Sequence, residues 1–298
     1  IAFTTTHDTT SSALLDAADA AMYEAKQQGK NCIAVADSRL TESMTEDAHM
    51  RIKAAFDRGE IELFFQPVLS LATNEVISFE ALARWRHPEK GVLGPQHFID
   101  TIIHSSMSLP FGRWLIDQAG QMADLLRRQG YHALIGVNLS QDQIETGAFI
   151  EALTATRHRY DLSAPFLIAE VLESTHFHDL DLACSLLNEA RNQSAHIALD
   201  DFGSGISSIT YANQLPLHTI KIDHSAVKHV DTRPAQRQYI SGIVAMGHAM
   251  QREVLAEGVE TESQLTSIRE LGCDMAQGYL IGKPMPLDEL HESYLCET

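Results

Sequence analysis

Residues 197–208 read IALDDFGSGISS. Four residues suited to a buried strand run directly into two carboxylates, Asp200 and Asp201, and then into a glycine-rich turn. Other apolar runs also carry a polar residue near their ends: Gln66, Glu80, Asn138, Glu170, Asp223, Glu257 and Gln277, with Lys221 two residues before Asp223. Gathered in one place, such carboxylates would oppose one another. Two unit charges about 4 Å apart repel by about 4 kcal/mol at an effective dielectric near 20. They stay ionised together only beside a cation. An all-oxygen donor set, carboxylates plus the Asn138 amide, favours hard divalent ions such as Mg²⁺ or Mn²⁺. One carboxylate of the Asp200–Asp201 pair could then bridge two ions while its neighbour binds only the second. The same pair before Phe202-Gly203 also suits a turn, and a lone acid at a strand end is commonly solvated or caps a helix. The chemistry therefore depends on whether the fold brings these residues together.

Eight apolar runs carry them: ELFFQ (62–66), VISFEA (76–81), LIGVNLS (134–140), FLIAEV (166–171), IALDD (197–201), TIKID (219–223), EVLAEG (253–258) and MAQGY (275–279). Helix-patterned segments, for example 111–129, 176–192, 233–251 and 261–271, separate most of them. Strands alternating with helices predict a mostly parallel sheet covered on both faces. Eight such units over roughly 240 residues predict an α/β fold, a (β/α)₈ TIM-like barrel, with its site at the C-terminal strand ends. The first link is too short. Only PVLSLATNE separates Gln66 from Val76, whereas a parallel crossover needs about a dozen residues or more. The opening strands should therefore pair antiparallel through a turn at Ala72-Thr73-Asn74, giving a barrel with one antiparallel strand near its start. Lys221, between Ile220 and Ile222, would face the interior by alternation.

Ahead of the barrel, SSALLDAADAAMYEAKQQGKN has helical spacing and CIAVA reads as a strand. One helix and one strand cannot make a domain, so residues 1–38 read as the tail of something upstream. The polar stretch 39–45 reads as a linker, and residues 46–298 as the barrel.

The 298 residues carry 22 Lys+Arg against 40 Asp+Glu, a formal charge of −18. This argues against non-specific binding to nucleic-acid polymers or anionic membranes, which requires a basic footprint. It leaves room for an anionic small molecule, because bound metal inverts the local field. The four cysteines (Cys32, Cys184, Cys273 and Cys296) are scattered without a CxxC, as free thiols in a reducing compartment would be. With no long apolar run and no signal-peptide pattern at the start, the segment is expected to be cytoplasmic, any membrane tether lying in a longer parent. His176-Phe177-His178 reads as an ordinary surface loop rather than a metal pair. No GxxxxGK loop or GxSxG elbow is present.

The ordered motifs ELFFQPV, FEALARWRHP, VNLS, the Glu170 strand, DDFGSG, TIKID, AEGVET and GCDMAQGY resemble those of the EAL-domain cyclic di-GMP phosphodiesterases over about residues 46–290. ADAAMYEAKQQGKN resembles the end of a GGDEF diguanylate cyclase domain, whose own signature is absent. The resemblance implies hydrolysis of one phosphodiester bond of cyclic di-GMP to linear pGpG, using two Mg²⁺ or Mn²⁺ ions, with Ca²⁺ inhibitory. It implies Glu80, Asn138, Glu170 and Asp200 at the first ion, and Asp200 with Asp201 at the second. Lys221, Glu257 and Gln277 would position and activate water, and Lys221 would feel a downward pKa pressure beside the ions. Gln66, Leu82, Arg84 and Asp223 would meet the substrate, with Arg84 gripping phosphate bidentately. Glu173 and Glu260 would tether the loop at 202–209. A homodimer is also implied. Leu172, Ser204, Ile206 and Ala226 depart from the residues usual in the family, but no metal-ligand position is lost. The competing reading is a binding module that retains cyclic di-GMP without cleaving it.

Overall fold

The computed structural model of the protein describes residues 38–203, 208–290 and 293–294. The cyclase-like tail falls outside them, apart from Ser38. Two compact units divide between Glu60 and Ile61. In the first, helix α1 spans Ser38–Asp57. It includes residues 39–45, which the polar composition had suggested as a linker. The run SRLTESMTEDAHMRIKAAFD has no Gly or Pro to interrupt it, and uncharged or charged polar residues cost a helix little.

The second unit is built on ten strands: β1 (Ile61–Ser70), β2 (Val76–His87), β3 (Gly91–Leu93), β4 (Leu134–Leu139), β5 (Leu167–Leu172), β6 (His196–Phe202), β7 (Thr219–Ile222), β8 (Glu253–Ala256), β9 (Met275–Gln277) and β10 (Met285–Pro286). Eight of them close a ring in the order β1-β2-β4-β5-β6-β7-β8-β9, returning to β1. β1 is antiparallel to both of its ring neighbours, β2 and β9. The other ring pairings are parallel. The short β3 and β10 extend β2 and β1 and carry too little pattern to be read from sequence. The β1–β2 hairpin closes with the Ser70 N–H on Glu75 O at 2.9 Å and the Asn74 N–H on Ser70 O at 2.9 Å. Asn74 takes a left-handed φ of 60°, which Asn tolerates better than most residues.

Helices α2 (Ser108–Arg128), α3 (Ala148–Tyr160), α4 (Leu180–Asn192), α5 (Ser208–Gln214), α6 (Pro234–Ala249) and α7 (Glu262–Glu270) connect the strands. In α2, Phe111, Leu115, Ile116, Ala119, Met122, Ala123 and Leu126 are buried, an i, i+4 stripe that packs on the sheet. α4 starts at Leu180, later than its expected start at 176, because Asp179 caps it by accepting the Leu182 N–H at 2.9 Å. A capping box of Thr261 and Gln264 starts α7. Among the described residues no helix is long and apolar enough to cross a membrane.

Candidate metal centre

Inside the ring, strand alternation turns Glu80, Asn138, Glu170, Asp200 and Lys221 towards the axis near the C-terminal ends of the parallel strands. This end is the mouth of the barrel. Adjacent strands hold them level: Asn138 is opposite Glu170, and Gln66 is opposite Glu80 across the antiparallel pair. The layer beneath is small. Ser78, Gly136, Ala198 and Thr219 help line a cavity of about 20 Å³. A Cβ on Gly136 would overlap Glu170 Oε1, so the glycine is what leaves room for that carboxylate.

Lys221 is 2% exposed. Its Nζ lies 2.9 Å from Glu170 Oε2, 3.0 Å from Asp200 Oδ1, 2.9 Å from Glu257 Oε1 and 3.7 Å from Glu80 Oε2. One ammonium thus faces four carboxylates. Burial alone would lower the lysine pKa, but Asp200, Glu170, Glu257 and Glu80 outweigh it and hold the ammonium firmly protonated. Burial, joined by negative neighbours, pushes Glu170 and Glu257 well above the usual carboxylate range in spite of Lys221. Burial, with Asp200 and Asp223 nearby, raises Asp201 to about 6. The mouth is short of positive charge.

Carboxylate oxygens of Glu80, Glu170 and Asp200 lie within 4.8 Å of one another, and so do those of Asp200, Asp201 and Glu257. The two groups share Asp200. Asn138 donates its amide N–H to Glu80 Oε1 at 3.3 Å, leaving its buried Oδ1 without a hydrogen-bond partner. A buried acceptor of this kind is costly unless something meets it. An amide oxygen is a donor suited to a hard cation, and this one belongs to a side chain in contact with Glu80. Gln277 Nε2 donates to Glu80 Oε2 at 2.5 Å and to Gln66 Oε1 at 3.2 Å, and its own Oε1 is likewise buried and unpartnered. Gln66 Nε2 in turn donates to Gly282 O at 3.0 Å. Asn138 and Gln277 thereby brace Glu80, and Gln66 steadies Gln277.

The strand turns sharply at the paired aspartates. Asp201 has a φ of 56°, its N–H donates to Asp200 Oδ1 at 2.9 Å, and Gly203 follows at φ 95°. The Gly203 N–H donates to Glu173 Oε2 at 2.9 Å, and Tyr239 Oη donates to Gly203 O at 3.4 Å. The Glu173 N–H also donates to Asp200 O at 2.9 Å. Glu173 therefore grips the start of the glycine loop from the neighbouring strand end. Glu260 is exposed, and its backbone N–H donates to Gln264 Oε1 at 2.8 Å. That bond belongs to the start of α7 rather than to the loop. Tyr239 was not legible as a loop contact, because an exposed helical tyrosine carries no pattern.

Leu82 and Arg84 continue the Glu80 face of β2 outwards, both half-buried. The Arg84 guanidinium sits 5.8 Å from the Phe64 ring centroid and donates to Ala83 O at 2.8 Å. Asp223 caps the short helix after β7, accepting from the Ser225 N–H at 3.0 Å and the Ser225 hydroxyl, with His224 Nδ1 at 2.9 Å from its other oxygen. Burial opposes its ionisation, but the Ser225 and His224 contacts prevail and lower its pKa. Of the departures, Leu172 ends β5 opposite Asp200 and Ala226 is buried in the helix after Asp223. Ser204 and Ile206 lie outside the described residues. His178 is not beside the mouth acids: its Nδ1 meets Glu145 at 2.9 Å on the surface.

A family model described as the EAL domain matches residues 49–284. The chain belongs to the EAL domain family. Its Glu80-Ala81-Leu82 on β2 spells the motif. Among curated EAL relatives, the bifunctional diguanylate cyclase/cyclic di-GMP phosphodiesterase MucR of Pseudomonas aeruginosa is 34% identical over 92% of this chain and 40% of its own length. The cyclic di-GMP phosphodiesterase NbdA of the same organism is 32% identical over 94% of this chain and 36% of its own. The chain thus spans about two fifths or less of these relatives. Of solved EAL structures, a MucR phosphodiesterase complex with c-di-GMP superposes with a TM-score of 0.77 at 32% identity, covering 82% of this chain and 99% of that one. The cAMP-bound EAL enzyme Bd1971 gives a TM-score of 0.79 at 32% identity, covering 85% of this chain and 72% of that one.

Proposed function

We propose that this EAL barrel hydrolyses one phosphodiester bond of cyclic di-GMP to give linear pGpG, and that it requires two Mg²⁺ or Mn²⁺ ions to do so. The observation that carries the reading is the pair of carboxylate groups sharing Asp200, with the buried, unpartnered Asn138 Oδ1 beside them. Glu80, Asn138, Glu170 and Asp200 would hold one ion, and Asp200 with Asp201 the other. Glu257, grouped with both aspartates, stands close enough to the second set to share that role. When bound, a two-ion clamp supplies charge neutralisation at the scissile phosphate and a usable nucleophile near neutral pH. The protein's own residues do the rest. Arg84 offers a planar fork to the phosphate oxygens, and Leu82 with Gln66 forms the wall beside it. Lys221 fixes Glu170, Asp200 and Glu257 in one arrangement. Glu257, whose carboxyl is raised by burial and negative neighbours, is the group suited to take a proton. Glu173 holds the glycine loop so that Asp201 keeps its turn.

The test is a nucleotide-product assay on this chain with Mg²⁺ and after removal of divalent ions. Formation of pGpG that stops on chelation is the expected result. Binding of cyclic di-GMP without product would make the barrel a receptor, and neither binding nor product would overturn both readings.

A further inference from the structure

At the opposite end of the ring, the floor formed by the N-terminal ends of the parallel strands, the charge imbalance changes sign. His196 opens β6, and His218 and Arg252 immediately precede β7 and β8. The register sets them side by side: Ala198 is opposite Thr219, and Thr219 is opposite Glu253. Backbone bonds lock this arrangement, with the His218 N–H on Ile197 O at 2.8 Å and the Glu253 N–H on His218 O at 2.9 Å. The two imidazoles stack, centroids 4.5 Å apart and planes 11° from parallel. His218 Nδ1 accepts the Ile197 N–H at 3.0 Å. A backbone N–H can only donate, so the ring proton of neutral His218 sits on Nε2 as a free-pointing donor. The Nε of Arg252 is buried and has no acceptor.

Stacked imidazoles thus lie beside a partly buried guanidinium that has one unpartnered nitrogen, in a chain of net charge −18. Burial first, then His196, Arg191 and Arg252, lowers His218 to about 4. Arg191, in the last turn of α4, also acts on His196 and Arg252, so it belongs to the same cluster. The nearest floor acids are engaged elsewhere. Glu253 is next to Arg252 in sequence and so turns to the other face of β8, where it lines a cavity of about 300 Å³ with Asp274 and Arg269. Asp274 accepts from the Val254 N–H at 2.8 Å and meets His248 Nε2 at 2.9 Å. A buried guanidinium N–H without an acceptor is relieved by an oxyanion, and the guanidinium fork matches phosphate geometry.

We infer that the floor of the barrel is an anion site, in which Arg252, Arg191 and the stacked His196–His218 pair receive a phosphate group. This site is separate from the mouth and stands whether or not the mouth is catalytic. The experiment follows the histidine imidazole resonances of the chain, freed of divalent ions on chelating resin, while inorganic phosphate is added near pH 6.5, the ordinary imidazole pKa. Sodium chloride at matched ionic strength is the control. Phosphate should move the His196 and His218 signals saturably and raise the His218 pKa by about one unit, and chloride should not. Arg252→Gln should weaken phosphate binding by roughly tenfold or more, the loss of a hydrogen bond to a charged group. Guanosine monophosphate serves as a second probe. Tighter binding than phosphate assigns the site to a nucleotide's phosphate, and equal or weaker binding assigns it to free phosphate. Identical titrations in phosphate and chloride, measured on the unmodified chain, would overturn the site. So would an Arg252→Gln protein that binds phosphate as tightly as the parent.

Discussion

The two ends of this barrel are built from the same strands but fail charge neutrality in opposite directions. At the mouth, four carboxylates surround a single ammonium and a buried amide oxygen lacks a partner. At the floor, two arginines and two histidines gather around a guanidinium nitrogen that lacks one. A packed core tolerates few unsatisfied polar groups. When they cluster by sign, the cluster describes its missing partner: cations above, an anion below. Strand direction separates the two: β6, β7 and β8 carry Asp200, Lys221 and Glu257 at one end and His196, His218 and Arg252 at the other, and Arg191 joins the second group from α4.

The comparison can be broken at the mouth first. Glu80→Ala should cut turnover about a thousandfold, since a clamp of this kind contributes several kcal/mol and each 1.36 kcal/mol is a factor of ten. A folded variant with parental pGpG production at limiting Mg²⁺ would sink the mouth assignment. Next in size is Lys221→Met. Removing this buried ammonium leaves buried carboxylates unpaired and should destabilise the ion-stripped barrel by about 3–5 kcal/mol in urea unfolding. Mg²⁺ should recover part of that loss, and a change below about 1 kcal/mol would mean the lysine is not what neutralises the cluster. Replacing Mg²⁺ with Ca²⁺ sharpens the picture further. Calorimetry should detect binding, yet product formation should nearly cease, because the larger ion accepts looser coordination. Equal rates would contradict the oxygen-cage geometry.

The smallest effect belongs to the floor. His218 sits at about 4 in the folded protein against an ordinary 6.5. Between those values the unfolded chain binds the extra proton, so stability is fully present above about pH 6.5 and falls as pH drops towards 4. Because the ring is half-exposed, solvent screening keeps the effect below the full linkage value. His218→Gln should flatten the stability difference across that window when unfolding curves of the two proteins are subtracted. Parallel curves would show that the imidazole does not titrate as its surroundings dictate.

The mouth is legible in the sequence because its residues obey strand rules. Lys221 between two isoleucines had to face inwards, and nine residues between Gln66 and Val76 forced the hairpin that makes β1 antiparallel. Glu80, Glu170 and Asp200 each ended an apolar run, so closing the ring brought them together. The floor was not readable. His196 and His218 are two of 15 histidines, and only the β6–β7 register makes them neighbours. Residues 39–45 are helical, as part of Ser38–Asp57, because a polar run without Gly or Pro can propagate a helix. The turn at Gly203 was legible as glycine-rich, but its hold by Tyr239 depends on a helix packed from elsewhere in the chain.

Lys221 differs from any divalent ion in one practical respect: it cannot be dialysed away. A chelator can remove every diffusible charge from the mouth, yet one positive charge remains bolted to β7, within 3.0 Å of three acids. The acids therefore keep their spacing during depletion. Reloading a stripped preparation should need only the addition of metal, without a denaturation and renaturation cycle.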